Sequence, residues 1–224
     1  MILSLLALAH PVPPQEPAAE QLLAARAAIE ALAAANQGAA AIQADYVQRR
    51  YTELLERPLV SSGRFHHRSD PGCLAFHALQ PRQSIIRLDP TSYTVFRPVE
   101  ARAEVFEFGT NHVAKLLLML FRPSLAEIER VFRIAGSASE DEVVHVVLMP
   151  RQEEVAKLVP RVELTIRTAK PALVGIAYTD SQGDRIAIEL SNVLALAKAP
   201  AGEFLDELPK GTRVIRHLPE QDAR

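Results

Sequence analysis

Residues Asn111 to Phe121 read NHVAKLLLMLF, and Leu116 to Phe121 are apolar on every side of a helix. Thr110 or Asn111 can cap such a helix, and Pro123 ends it. A helix that is greasy all round is buried, or it covers something apolar. Two readings stay open at this point: an ordinary core helix, or a movable cover over an apolar hollow. Directly after it, Ser124-Leu125-Ala126-Glu127 has the capping-box spacing of a further short helical turn.

On both sides of this run the hydrophobic period is 2, the period of strands. Upstream, Ile42, Ala44 and Tyr46 alternate with Gln43, Asp45 and Val47. Val60 to Arg68, Cys73 to Leu79, Arg82 to Leu88 and Ser92 to Arg97 are short β-rich runs, separated by Asp70-Pro71-Gly72, Gln80-Pro81 and Asp89-Pro90. That spacing and turn chemistry predict an antiparallel meander. Glu100, Arg102 and Glu104 then alternate with Ala101, Ala103 and Val105, which reads as an edge or a solvated face. Downstream, strands resume near Val131. Val143 to Met149 is apolar on both faces except at His145, and Val162, Leu164 and Ile166 alternate with Glu163, Thr165 and Arg167. Asp180 to Asp184 reads as the turn between Val174–Thr179 and Arg185–Leu190, and Val214 and Ile215 lie in a last strand.

Ahead of the strands, Ala18 to Asn36 has high helix propensity, with Leu22, Ile29 and Leu32 on one side and Gly38 as a stop. One apolar stripe implies a helix laid on something else. The order is therefore helix, about five strands, greasy helix, about five strands. That predicts an α+β fold with one large antiparallel sheet, and a sheet of roughly ten twisted strands curls. A curled sheet of that size does not fill its hollow side unless helices plug it. A plug that can shift leaves room for acyl chains.

Ile2 to Ala9 (ILSLLALA) is an apolar run far shorter than the roughly 20 residues that span a bilayer. It fits a signal peptide over residues 1–9, with Ala7-Leu8-Ala9 as a small-x-small cleavage site. Residues 10–17 (HPVPPQEP) read as a proline-rich linker, 18–216 as one domain and 217–224 as a tail. The expectation is an exported, soluble periplasmic protein.

The chain has 224 residues, a formal net charge of −2 and 23% charged residues. No single-sign field exists to steer nucleic acid, so that partner class is excluded. Aromatic residues make up 5% with no tryptophan, which disfavours base or sugar stacking. A single cysteine excludes an intramolecular disulfide and a cysteine-built zinc site. There is no phosphate loop, H-E-x-x-H or G-x-S-x-G, so no enzyme activity and no cofactor are expected. His67 and His77 could share a strand face near His66 and Cys73, but no carboxylate or third spaced ligand completes a metal site. These are read as polar strand residues, Cys73 as an inert buried thiol, and His145 as a satisfied interior histidine.

Several stretches together resemble the periplasmic lipoprotein carriers of the Lol system, the LolA-like proteins. Ala44 to Tyr51 (ADYVQRRY) resembles their first strand, with Tyr46 and Gln48 at matching positions. Gly63-Arg64-Phe65 followed by Arg68 is similar to the second strand. Asp89 and Tyr93 to Pro98 (YTVFRP) resemble the aspartate turn and the aromatic strand. Lys115 to Phe121 stands where the family has a leucine-rich lid. Leu148-Met149-Pro150-Arg151, Asp180 to Asn192, and Phe204 with Leu208 to Gly211 resemble later motifs, so the similarity runs over about residues 18–216.

The resemblance implies an unclosed half β-barrel with an α-helical lid and no catalysis. It implies acylated lipoprotein or lipid as cargo, taken from an inner-membrane lipoprotein-releasing transporter and handed to an outer-membrane receptor by a monomeric carrier. The receptor is lipid-anchored in that family. No cysteine follows the apolar run here, which favours the carrier. The expected lid residues are Leu116, Leu117, Leu118, Met119, Leu120 and Phe121. The expected cavity residues are Tyr46, Phe65, Phe76, Ile86, Tyr93 and Phe96, with Val146, Leu148 and Ile166 from the later strands. A sensing or scaffold module of the same fold, acting in envelope signalling, is the alternative. One departure concerns the lid. The family's third strand carries a basic residue that holds the lid shut, and its counterpart here is Ala75, with Arg64 and Arg68 as candidate substitutes.

Overall fold

The computed structural model describes residues 18–107 and 112–218, without the side chains of 112–115 and 117. The expected signal peptide, the linker, the caps Thr110 and Asn111, and residues 219–224 lie outside the described residues. Helix α1 (Ala19–Ala35) precedes β1 (Ala41–Tyr51), β2 (Leu59–Arg68), β3 (Cys73–Gln80), β4 (Ser84–Leu88), β5 (Ser92–Arg97) and β6 (Arg102–Glu107). Helices α2 (His112–Phe121) and α3 (Leu125–Val131) follow, then β7 (Phe132–Glu140), β8 (Val143–Pro150), α4 (Glu153–Leu158), β9 (Val162–Arg167), β10 (Ala172–Thr179), β11 (Arg185–Leu196) and β12 (Arg213–His217).

All twelve strands of the described residues join one sheet, ordered β12-β6-β5-β4-β3-β2-β1-β11-β10-β9-β8-β7. The two meanders meet where β1 pairs antiparallel with β11, Tyr46 opposite Leu190. β12 and β7 end the sheet, which is not closed into a barrel. Two expectations are corrected here. The sheet is mixed rather than wholly antiparallel, because β12 runs parallel to β6, Arg213 opposite Arg102. For the same reason β6 is not an edge. Its backbone is paired on both sides, and its charged alternation forms ion pairs, Glu104 with Arg97 at 2.6 Å and with Arg102 at 3.0 Å.

Period 2 divides the sheet into two unlike faces. One face carries Tyr46, Phe65, Leu74, Leu88, Val146, Leu164, Ile176 and Ile188, and the three helices α1, α2 and α3 bury Ile29, Leu32, Leu120 and Ile128 against it. Gln21 and Arg26 fix α1 in place. Ser137 Oγ donates to the Gln21 carbonyl at 2.6 Å, and Arg26 Nε donates to Glu129 of α3 at 2.8 Å. Gly38 follows α1 at φ +77°, a left-handed turn that favours glycine and releases the chain into β1. Ser124 caps α3 as the sequence implies, its hydroxyl accepting from the Glu127 amide at 3.3 Å and donating to the Glu127 carboxylate at 2.6 Å.

Asp89 closes the β4–β5 hairpin. Its carboxylate accepts from the Thr91 amide at 2.8 Å, the Thr91 hydroxyl at 2.6 Å, the Ser92 amide at 2.9 Å and the Ser92 hydroxyl at 3.0 Å, with Arg87 at 2.6 Å. Burial raises its pKa, but the bonds from Thr91 and Ser92 and the Arg87 charge outweigh that and leave it below the usual value. A lowered folded-state pKa stabilises above the unfolded value near pH 4, and that contribution is lost as pH falls through it. Asp89→Asn is therefore expected to destabilise by about 2 kcal/mol at pH 7. Urea unfolding at pH 7 and pH 3 checks this. The gap from wild type should shrink at the lower pH, and a constant gap would show that the charge contributes nothing.

Candidate functional site

The helix-covered face is packed at one end and hollow at the other. Under α1 and α3 it is solid, with Val146, Leu148 and Ile166 fully buried. These three expected cavity residues therefore belong to the filled core under the helices and do not line the larger cavity. Toward β2–β5 the face opens into a cavity of about 660 Å³. Its apolar wall is Leu74, Phe76, Ala78, Ile86, Leu88 and Tyr93 from β3–β5, with Tyr46 from β1 and Ile186 and Ile188 from β11. The volume lies inside the ~300–1,000 Å³ range of small-molecule sites.

The register explains which expected residues reach it. Phe65, Phe76 and Ile86 are successive cross-strand partners, and Leu74, Leu88 and Tyr93 form the next row. Phe96 is three residues from Tyr93, an odd step, so it points to the opposite face beside Ile85 and Ala103. Its expected place in the cavity is corrected on that ground. Phe65 is buried and does not line this larger cavity; its ring is 4.7 Å from that of Phe121 and 5.0 Å from that of Phe76. Both Phe65 and Phe121 also line a second pocket of about 220 Å³ with Ile42, Leu173 and Leu190.

Phe121 thus stands between two hollows and lines both. Of the other lid residues, Leu116 and Leu120 are buried in the core, and Leu118 and Met119 pack on its margin. The Leu117 side chain lies outside the described residues. Helix α2 thus roofs the core and reaches the larger cavity through its last residue. The sequence reading missed α4, whose Leu158, with the following Val159, completes the cavity wall. Its signal was present in the acidic first turn and the Glu153–Lys157 spacing, which forms an i,i+4 ion pair at 3.3 Å.

The rim is polar. Arg50 and Asp180 line it, and Arg50 Nε donates to Asp184 at 2.7 Å. Three tyrosines, Tyr46, Tyr93 and Tyr178, line the cavity. Burial raises the pKa of each hydroxyl, that of Tyr178 to about 12. They stay neutral at physiological pH and offer O–H donors without a charge.

None of Ala75, Arg64 and Arg68 faces α2. Ala75 is fully buried on the face away from the helices, opposite His66 and Arg87. Arg64 and Arg68 share that far face, and Arg68 is bound to Asp206 at 2.8 and 2.9 Å. The tie is instead Arg122, one residue past α2. Its guanidinium donates to the Asn36 carbonyl at the end of α1 at 2.8 Å, and also to the Ser69 hydroxyl. One side chain therefore joins the ends of α1 and α2 to the β2–β3 turn.

Chemistry-bearing residues lie elsewhere. Cys73 is fully buried, and burial raises its thiol pKa. His145 Nδ1 is 3.1 Å from the Thr165 hydroxyl on the far face. Among the described residues no helix is long and apolar enough to cross a membrane.

No curated protein matches the chain. Among solved structures, an uncharacterized conserved protein from Thermus thermophilus is 14% identical with a TM-score of 0.51, covering 87% of this chain and 99% of that one. The Mycobacterium tuberculosis lipoprotein LppX is 12% identical with a TM-score of 0.44, covering 81% and 98%. The Pseudomonas aeruginosa MucA/MucB complex is 13% identical with a TM-score of 0.44, covering 82% of this chain and 61% of that one. The first of these shares the fold. The family model described as "Outer membrane lipoprotein carrier protein LolA" matches residues 37–205, which hold the first meander, the roofing helix and the cavity. The chain belongs to the LolA outer membrane lipoprotein carrier protein family.

Proposed function

We propose that the protein is a periplasmic carrier that shelters the acyl chains of lipoproteins, or of related acylated lipids, and moves them from the inner to the outer membrane. The carrying observation is the cavity of about 660 Å³, lined by apolar side chains with polar groups among them and bordered by Phe121 at the end of α2, which Arg122 ties to α1. Exposing one CH₂ to water costs about 0.8 kcal/mol, so a chain of about 15 carbons costs on the order of 12 kcal/mol. Transit through water therefore requires a dry site. Transfer from bilayer to cavity exchanges one apolar surround for another, so small shifts of α2 suffice to load and release. Phe121, the wall between two hollows, is the side chain whose movement joins them. The tyrosine hydroxyls suit the ester and amide groups at the head of an acyl chain. The reading is of a binding protein and not an enzyme, with Cys73 too buried to act as a nucleophile. Its partners in this reading are an inner-membrane releasing transporter and an outer-membrane receptor.

The test is extraction. Vesicles carrying a triacylated lipopeptide are incubated with the purified protein and floated. Recovery of lipopeptide with the protein, free of vesicles, is expected. Lipopeptide that stays wholly with the vesicles at every protein concentration contradicts the proposal.

A further inference from the structure

The face away from the cavity holds a second constellation. After β11 the chain crosses back over β1–β3 and buries Phe204 against Ala41, Cys73 and Ala75. Gly202, at φ +82°, makes the left-handed turn that brings in the next residue, Glu203. Arg68 lies 4.7 Å over the Phe204 ring and grips Asp206 with two hydrogen bonds. Glu203 is thus fixed on both sides.

Beneath it lie His66 and His77. Alternation from His66 through its partner Ala75 puts these two on one face, and puts His67 on the other with Leu74. The sequence expectation that His67 and His77 share a face is corrected accordingly. The missing carboxylate comes from Glu203, more than a hundred residues away; His77 Nε2 also donates to the Glu203 backbone carbonyl at 2.7 Å, a bond that a bound ion would replace. His66 Nε2 lies 3.3 Å from Glu203 Oε2, and His77 Nε2 lies 3.5 Å from the same atom. The donor atoms of the three side chains all lie within 4.8 Å of one another. His66 is only 2% exposed, yet neither of its ring nitrogens has a hydrogen-bond partner. Such a group costs free energy unless something else satisfies it.

We propose that His66, His77 and Glu203 bind one divalent transition-metal ion of the Zn²⁺ class, which clips the segment after β11 onto β2 and β3. At metal–ligand bonds of about 2.0–2.1 Å, the edge of a tetrahedron is about 3.3 Å. Two of the three donor separations already match that edge. His66 Nε2 faces a carboxylate oxygen at 3.3 Å without forming a hydrogen bond, and a cation between them resolves this. Two imidazoles and one carboxylate favour Zn²⁺, Co²⁺, Ni²⁺ or Cu²⁺ over the oxygen-seeking Mg²⁺ and Ca²⁺. The Glu203 side chain is one third exposed, which leaves a fourth position for water.

The experiment uses untagged full-length protein stripped with chelator and titrated with ZnCl₂ by calorimetry, with MgCl₂ as control. One Zn²⁺ per chain is expected, with no Mg²⁺ uptake at the same concentrations and a thermal midpoint that climbs with added Zn²⁺. Glu203→Gln and His66→Phe, which keep size and packing, are each expected to weaken Zn²⁺ at least tenfold with the metal-free midpoint little changed. Absence of saturable one-to-one binding in the wild type overturns the proposal. So does binding that both variants leave intact.

Discussion

Ile86→Glu is expected to lower acyl-chain affinity by at least about 100-fold while the protein still folds. Ile86 sits mid-strand on β4, opposite Phe76 and Val95, with its side chain partly exposed in the cavity wall. In the empty protein the cavity admits water, so a carboxylate there remains hydrated and costs the fold little. A bound hydrocarbon strips that water. The effective penalty for an unpaired buried ion is several kcal/mol, and each 1.4 kcal/mol is a factor of ten. Titration with a fluorescent C16 fatty acid reads the affinity, and thermal unfolding reads the fold. Ile86→Leu keeps the apolar surface and is expected to bind like wild type. Affinity of Ile86→Glu within threefold of wild type, in a folded protein, would place the ligand elsewhere.

The second large effect concerns the fold itself. At Gly63 the β2–β3 register slips between Ser62 and Gly63, and the strands press together. A Cβ built on Gly63 would lie 1.9 Å from the His77 carbonyl oxygen and 3.0 Å from the Leu79 amide nitrogen. Both are backbone atoms, so no rotamer change relieves the clash. Gly63→Ala is expected to cost about 3 kcal/mol or more, through loss of local β2–β3 pairing. Gly136→Ala is the contrast, because a Cβ there meets nothing within 4 Å and no positive φ opposes it. It is expected to change stability by less than about 1 kcal/mol. Urea unfolding of the two variants tests both. A Gly63→Ala protein as stable as wild type would mean that β2 and β3 do not lie against each other in this way.

What could be read from the sequence follows from which forces are local. Period-2 alternation and proline or glycine turns placed the meander strands closely: the run read as Ser92 to Arg97 is β5, and Val143 to Met149 lies within β8. Ser124 and Glu127, three residues apart, were enough to mark α3. Alternation alone, however, does not say which face is inward. Tyr93 and Phe96 stand on opposite faces of one strand, and only the pairing with Leu88 and Ile85 shows which of them faces the helices. The parallel β12–β6 pairing joins segments a hundred residues apart, and no turn chemistry announces it. Glu203 is one of many scattered acidic residues until Phe204, Arg68 and Gly202 fix it over two histidines. Arg122 follows a greasy helix as any basic residue might, and its tie to Asn36 forms only when α1 and α2 are packed together. Val146, Leu148 and Ile166 have the composition of cavity walls, but the small residues Ala25 and Ala28 let α1 pack closely over that end of the sheet.

The central claim is that a hydrocarbon chain occupies the hollow between the sheet and α2 while the protein is in water. Native mass spectrometry of the protein isolated gently from its cells, without detergent, addresses it most directly. A non-covalent adduct is expected, one that organic solvent releases as an acylated species and that Ile86→Glu protein lacks. Bare chain alone from wild-type cells, with no adduct formed on adding acylated lipid, would contradict it.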